Sequence, residues 1–222
     1  MKAYRKEIID NVVSYIASSY YSAKERYITQ TLLFKVLALL DFRALKQNGR
    51  PCVEFTYTAR DLGPVPEELY KGDLSLYESF KTKDKKYKDK NGSVRTTRYY
   101  VSVKEPDLDY IAPSEKKILD DILSNVIKKN ISGKQAAEIT HEEILAWKIA
   151  YNRKPNSKMN YADEFIGLDS KSEAEMTIPE LNFIKYRDFA NAYSRGRFKS
   201  YSSIYLHRQR SKMPVVCFFR ET

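Results

Sequence analysis

The sequence predicts a mainly α-helical protein of the α+β class: a compact helical domain with a small β-hairpin and a C-terminal helix/strand appendage. Three observations support this. Apolar residues recur at helical spacing in several stretches. One Asn-Gly pair, Asn91-Gly92, lies between two segments that alternate like strands. Only 7 of the 222 residues are glycine, which argues against a protein built from many turns.

Two helices are predicted in the first fifty residues. Residues 5–18 carry one apolar stripe, and residues 29–46 carry a broader one that runs from Leu32 to Leu45. Thr29 or Thr31 can cap the second helix, and Gly49-Arg50-Pro51 ends it. The width of its apolar face predicts that this second helix is central in the fold.

The next segment contains the hardest break in the sequence. Residues 53–62 remain ambiguous, since their first half alternates like a strand and their second half favours helix. Gly63-Pro64-Val65-Pro66 should interrupt regular structure, with Gly63 at positive φ. Pro66 suits the first turn of a helix, which we expect to run to Phe80.

A β-hairpin is predicted over residues 81–104, with Asn91-Gly92 as a two-residue type I′ turn. The clearest helix follows at residues 113–129, where Ser114 can act as the cap.

Two capping boxes predict the closing helices of the first domain. Ser132 to Gln135 opens one, and Thr140 to Glu143 opens another that continues to Tyr151. This places His141 in a first turn with no chemistry, and it makes Trp147 a core anchor.

The composition changes after Asn152. Residues 152–177 are polar and weakly periodic, which indicates a linker or long loop. Residues 179–193 predict a helix and residues 214–219 a short buried strand. We therefore expect a domain at 1–151 and an accessory segment at 152–222 that packs on it.

The net charge of +10 is concentrated in two segments. Residues 81–98 and residues 195–212 each carry +6, and the rest of the chain is nearly neutral. Tyrosines accompany both segments. Basic residues interleaved with aromatics are typical of a nucleic-acid groove and equally of a protein-binding hot spot. The alternative is a solvated loop and tail.

No catalytic or metal-binding pattern stands out. The chain has no Gly-rich phosphate loop, and its two histidines and two cysteines have no zinc-ligand spacing. We expect no cofactor, no metal and no enzymatic activity.

Met1 leads directly into an amphipathic pattern, no stretch is apolar enough to cross a membrane, and cysteine is scarce. These features predict a cytoplasmic protein with reduced thiols.

Several stretches together resemble the Panacea domain of the SocA-like antitoxin family. They are residues 28–69, which contain Gly63-Pro64-Val65, then Ser114 to Ile127 and Ala136–Ile139, and finally Thr140-His141 with a downstream Trp147. The resemblance covers about residues 5–151. One departure is Arg60, where relatives often carry a large aromatic residue, and this could alter a surface.

The resemblance implies a helical domain that neutralises a cognate protein toxin by direct binding. Toxins in the family are diverse, and some resemble alarmone synthetases that modify RNA; such a toxin is one expected partner. One branch instead acts as a proteolytic adaptor. The resemblance assigns no catalytic residue, so Gly63, Pro64, Val65, Thr140, His141 and Trp147 are expected to determine the fold. A nucleic-acid-binding autorepressor is the alternative function.

The expected toxin-binding residues lie in the C-terminal basic segment. A family that holds one fold against many toxins must vary its recognition surface, and an added segment is the least constrained place. The candidates are Arg195, Arg197, Lys199, Tyr201, Tyr205, Arg208 and Arg210. The alternative is that this segment only completes the core.

Overall fold

The central element of the computed structural model is the helix α2, Gln30–Asn48. The model describes residues 4–89 and 91–194. Its helices in that part are α1 (Arg5–Lys24), α2, α3 (Glu67–Tyr70), α4 (Pro113–Lys128), α5 (Gly133–Glu143), α6 (Leu145–Arg153) and α7 (Ile178–Ser194). Its strands are β1 (Ile28–Thr29), β2 (Tyr57–Arg60), β3 (Gly63–Pro66), β4 (Phe80–Lys88) and β5 (Val94–Ser102).

The ends of α2 follow the predicted signals. The Thr29 hydroxyl accepts the Leu32 N–H, and Gly49 closes the helix at a φ of +75°. Between them nearly every side chain from Leu32 to Leu45 is buried, on all sides of the helix. The prediction that this helix is central is therefore confirmed, as is the mainly α-helical class with some β structure.

Two separate antiparallel sheets flank the helices. In the first, β5 lies between β1 and β4, and Tyr100 of β5 stands opposite Ile28 and Thr82. Tyr100 and Phe80 are buried against the core, whereas the far end of the β4–β5 hairpin is exposed on both strands. The second sheet is the short β2–β3 hairpin, whose turn is Asp61-Leu62.

The region from Gly63 to Phe80 differs from its prediction. Gly63–Pro66 is a strand rather than a break between helices, and both prolines are tolerated because β3 pairs on one side only. The expected helix from Pro66 to Phe80 shrinks to one turn, α3. The Asp10 carboxylate of α1 accepts the Ser79 N–H at 2.8 Å, which helps to hold the chain extended at the start of β4.

The turn of the β4–β5 hairpin was also predicted wrongly. The strands are joined by residues 89–93, and of the Asn91-Gly92 pair only Gly92 has a positive φ, at +77°. The Asp89 carboxylate accepts the N–H groups of Asn91 and Ser93, at 3.0 and 2.9 Å. This local side-chain bonding stabilises a longer loop instead of the two-residue type I′ turn.

Two of the predicted helix caps are wrong. Ala112, not Ser114, precedes α4, and the Glu115 carboxylate accepts the Ala112 N–H at 3.2 Å. Ser132 and Gln135 do cap α5 as predicted. Thr140 opens no helix: it is buried inside α5, where its hydroxyl donates to the Ala137 carbonyl. His141 therefore lies in the last turn of α5 rather than in a first turn.

The polar segment after α6 packs closely on the body. The Tyr161 hydroxyl donates to the Asp41 carboxylate at 3.1 Å and to the Phe55 carbonyl at 2.8 Å. Asp41 is fully buried and also accepts the N–H groups of Val53 and Phe55. One carboxylate thus fixes two irregular segments, at Phe55 and at Tyr161, that are 106 residues apart in sequence. The predicted helix at 179–193 is confirmed by α7, and the predicted strand at 214–219 lies outside the described residues.

Candidate functional site

The six residues of the Gly-Pro-Val, Thr-His and Trp motifs come together in space. Gly63, Pro64 and Val65 form β3, which packs against α5 beside Thr140 and His141. His141 stacks on Trp147 with ring centroids 3.7 Å apart, and the Trp147 Nε1–H donates to the Arg60 carbonyl at 3.1 Å. The motif therefore joins the β2–β3 hairpin to α5 and α6.

Two independent features of the structure require glycine at position 63. Its φ is +90°, a conformation that residues with a Cβ rarely adopt. A Cβ built there would also lie 2.7 Å from the Thr140 Oγ1 and 3.3 Å from the Lys35 Cε. The positive φ was predicted from the sequence. The sequence did not predict the close approach of the β2–β3 hairpin to α5 and α2.

A lysine, Lys35, is buried where the β2–β3 hairpin approaches α2. Lys35 of α2 is 1 % exposed, and its Nζ donates to the Pro64 carbonyl at 2.7 Å. No carboxylate forms an ion pair with it within the described part of the chain. Burial lowers the pKa of Lys35 to about 7, because water no longer stabilises the ammonium charge. Lys35 is thus a buried amine that is held by one neutral acceptor and is only partly protonated near pH 7.

His141 lies beside this lysine. Its Nε2 is buried and has no hydrogen-bond partner in the described structure. Burial, and then the charge of Lys35, lower the pKa of His141 below its usual value, although the nearby Glu138 opposes this shift. The imidazole is therefore expected to be neutral at physiological pH. A neutral ring stacked on Trp147 is consistent with the packing role predicted for it, although its place in the helix differs.

Lys35 lines a cleft of about 310 Å³ between α2 and the β2–β3 hairpin. The residues that line it are Gln30, Thr31, Phe34, Lys35, Arg60, Asp61, Leu62, Val65, Tyr70 and Asn156. Phe34, Lys35 and Val65 are buried and form the inner wall. Leu62 and Tyr70 are 58 % and 42 % exposed and form the rim. Apolar rim groups around a buried charge are typical of interface hot spots.

Arg60 supplies a second cation to the cleft. Its guanidinium carbon lies 4.2 Å from the centre of the Tyr70 ring, a cation–π contact. Its Nε is buried without a hydrogen-bond partner among the described residues, and no carboxylate pairs with it there. The one acid in the lining, Asp61, accepts from the Tyr151 hydroxyl at 3.1 Å.

A smaller recess of about 190 Å³ offers a contrast. It is lined by Leu39, Phe42, Arg43, Lys46, Glu143 and Ile144. Its cations are neutralised, since Arg43 pairs with Glu143 at 2.7 Å and Lys46 pairs with Glu164 at 3.0 Å. Unpaired positive charge therefore distinguishes the larger cleft from this recess.

The β4–β5 hairpin presents a second basic surface, as the charge pattern indicated. Strand alternation puts Lys81, Lys83 and Lys85 on the face opposite the buried Phe80 and Tyr100. Tyr87, Arg95 and Tyr99 share this outer face. Elsewhere on the hairpin, Asp84 forms a bidentate pair with Arg98. We call the row Lys81, Lys83 and Lys85 the lysine row.

The C-terminal candidates cannot be placed in the same way. Arg195, Arg197, Lys199, Tyr201, Tyr205, Arg208 and Arg210 all lie outside the described residues. They follow directly after α7, whose Phe183 is buried against the core. In residues 4–89 and 91–194, no cluster of three or more His, Cys, Asp or Glu is arranged to hold a metal ion. No helix in those ranges is long and apolar enough to span a membrane.

Sequence reasoning missed Lys35 and the cleft. The available signal was a single cation inside the apolar run from Leu32 to Leu40, where a charged residue is rarely buried without a reason. The contact with the Pro64 carbonyl depends on the β2–β3 hairpin, which the sequence left undecided between strand and helix.

Comparison with known proteins identifies one family. The model of the family described as "Antitoxin SocA-like, Panacea domain" matches residues 33–148, which is more than half of the chain. The match includes Lys35, the β2–β3 hairpin, α4 and α5. No curated protein and no solved structure matched the chain.

Proposed function

The chain belongs to the SocA-like antitoxin family that carries the Panacea domain, and from this premise we propose that it neutralises a cognate protein toxin by binding it directly. The family match is the observation that carries the proposal. Binding alone blocks the toxin, in the cytoplasm and without chemical conversion of any substrate. The clustered motif residues support action without chemical conversion, because their role is to pack the β2–β3 hairpin against α5 and α2.

The direct test uses the protein encoded beside this chain. Expression of that neighbour alone should arrest growth, and co-expression of this chain should restore it. The two proteins should co-purify through a tag on either one. Failure of both rescue and co-purification would overturn the proposal. Toxin abundance should stay unchanged during rescue, because loss of the toxin would instead indicate delivery to a protease.

The C-terminal basic segment is proposed to contribute to toxin contact. A triple reversal, Arg195→Glu, Arg197→Glu and Arg208→Glu, should weaken toxin binding by about tenfold or more if these arginines lie in the interface. The matched control reverses the exposed lysines Lys117, Lys134 and Lys185, which changes the net charge equally. Equal affinities for the wild type and the triple reversal at low salt would place recognition elsewhere.

Nucleic-acid binding is the second candidate function, favoured by the lysine row with Tyr87, Arg95 and Tyr99 beside it. Lysines two residues apart on one strand are spaced by roughly 7 Å, which suits successive contacts along a phosphate backbone. Affinity for a random DNA duplex and for single-stranded RNA should then fall steeply with salt. Substitution of the row by glutamine should flatten that dependence. A protein without measurable affinity at 50 mM salt would exclude this function.

A further inference from the structure

The Lys35–Arg60 cleft contains two basic groups that no carboxylate among the described residues pairs with. Lys35 bonds one carbonyl, and Arg60 rests on an aromatic ring. A buried ammonium normally has a carboxylate partner, because removing the charge from water costs several kcal/mol. Neither residue has one within the described ranges. The cleft therefore has the electrostatic character of a site that lacks its anion.

We infer that this cleft receives an acidic side chain of the toxin, an aspartate or glutamate, between Lys35 and Arg60. The inference rests on the proposed function and names the surface that carries it out. Lys35 Nζ bonds the Pro64 carbonyl, and the Arg60 guanidinium rests on the Tyr70 ring without a carboxylate partner among the described groups. Because both residues line the same cleft, a carboxylate that enters it is attracted by both basic groups.

The rim of the cleft specifies what should surround that carboxylate. Leu62 and Tyr70 are large, exposed and apolar, and the buried Phe34 and Val65 lie behind them. An acidic residue flanked by an apolar one on the toxin surface would cover the rim while its carboxylate reaches the inner wall. Exclusion of water by the rim would then strengthen the charged contact at the centre.

The motif glycine explains how the cleft is maintained. Gly63 lets β3 approach α2 closely enough for the Pro64 carbonyl to accept from Lys35. That bond holds the ammonium in the wall of the cleft. The hairpin also carries Arg60 and Leu62, so one short element positions a cation and a rim residue together.

The test measures the affinity of this chain for the protein encoded beside it. Lys35→Met removes the buried charge with little change in size, and Arg60→Glu reverses the second charge. Each should weaken binding on the order of 30-fold or more, as expected for a charge pair at the centre of an interface. Lys117→Glu on the exposed face of α4 is the control and should stay within threefold of the wild type. Thermal melting checks that each variant is folded.

A genetic selection identifies the partner group. Toxin variants that become neutralised by Arg60→Glu should replace one particular aspartate or glutamate by lysine or arginine. If Lys35→Met does not fold, the affinity of Arg60→Glu and this selection still test whether the cleft receives a toxin carboxylate. Folded variants that keep wild-type affinity would overturn the inference while leaving the antitoxin function intact. A wild-type chain that binds no toxin would overturn both.

Discussion

The cleft and the β4–β5 hairpin are both cationic, but they hold their charges in opposite ways. On the β4–β5 hairpin, the side chains of the lysine row are exposed, and Lys83 also contacts the Tyr27 ring. In the cleft, Lys35 is 1 % exposed and bonds a single carbonyl. An exposed charge changes the free energy of unfolding little, whether or not it is paired. A buried charge can raise or lower that free energy strongly, depending on whether it has a partner. Charge counted along the sequence therefore says little about which cations matter energetically.

The two regions also differ in how they use glycine, and this gives the largest expected effect. Gly63 and Gly92 both have positive φ, at +90° and +77°. A Cβ at Gly63 would overlap Thr140, whereas a Cβ at Gly92 meets nothing within 4 Å. Gly63→Ala should lower the free energy of unfolding by about 3–4 kcal/mol through strain and overpacking combined. Gly92→Ala should lower it by about 1 kcal/mol, from strain alone.

Urea unfolding at constant pH measures this difference. The two variants share the same substitution and nearly the same φ. The difference between their free energies of unfolding therefore isolates the close packing of the β2–β3 hairpin against α5. Equal losses of stability would show that the contact between Gly63 and Thr140 relaxes freely.

The pH dependence of stability gives the second effect. The pKa of Lys35 falls from 10.5 in the unfolded chain to about 7 in the folded one. Between these values the unfolded state binds more protons, so folding stability rises with pH. The cost of the buried charge is complete below pH 7 and is relieved as the pH rises toward 10.5. Relative to Lys35→Met, the wild type should gain about 2–3 kcal/mol between pH 7 and pH 9.

Paired unfolding curves of wild type and Lys35→Met across this range provide the measurement. Subtracting the variant's free energy of unfolding from that of the wild type at each pH cancels the contributions of titratable groups that both proteins share. His141, with its lowered pKa, titrates below this window, and burial raises the pKa of Tyr100 to about 12, above it. A constant difference between the two proteins from pH 7 to pH 9 would contradict the lowered pKa of Lys35.

The same contrast explains what the sequence could predict. Helical spacing identified α1, α2, α4 and α7, because each buries a stripe that its own sequence displays. The basic hairpin was visible as a local charge pattern. The cleft was not, because it depends on contacts between residues far apart in sequence, such as Lys35 with Pro64, 29 positions apart, and Trp147 with Arg60, 87 positions apart.

Two of the errors can be traced to particular hydrogen bonds. Residues 66–80 have helical propensity, but Asp10 of α1 bonds the backbone at Ser79 and favours an extended chain. Thr140 has a cap sequence, yet α5 continues through it because its hydroxyl finds an acceptor inside the helix. A long-range contact overrode the local signal in the first case, and a competing local hydrogen bond did so in the second.

The smallest expected effect concerns the lysine row itself. Lys81→Gln, Lys83→Gln and Lys85→Gln together should change the free energy of unfolding by less than about 0.5 kcal/mol, because exposed charges make weak, screened interactions. Their contribution should appear in kinetics instead: association with the toxin should slow severalfold at low ionic strength, and this difference should vanish near 0.5 M salt, where the Debye length falls to roughly 4 Å. Substituting the scattered lysines Lys117, Lys134 and Lys185 by glutamine lowers the net charge equally and should slow association less. Stopped-flow mixing at several salt concentrations separates the two variants. An equal slowing by both would mean that net charge steers the encounter. A faster dissociation that persists at high salt would place the β4–β5 hairpin inside the bound interface.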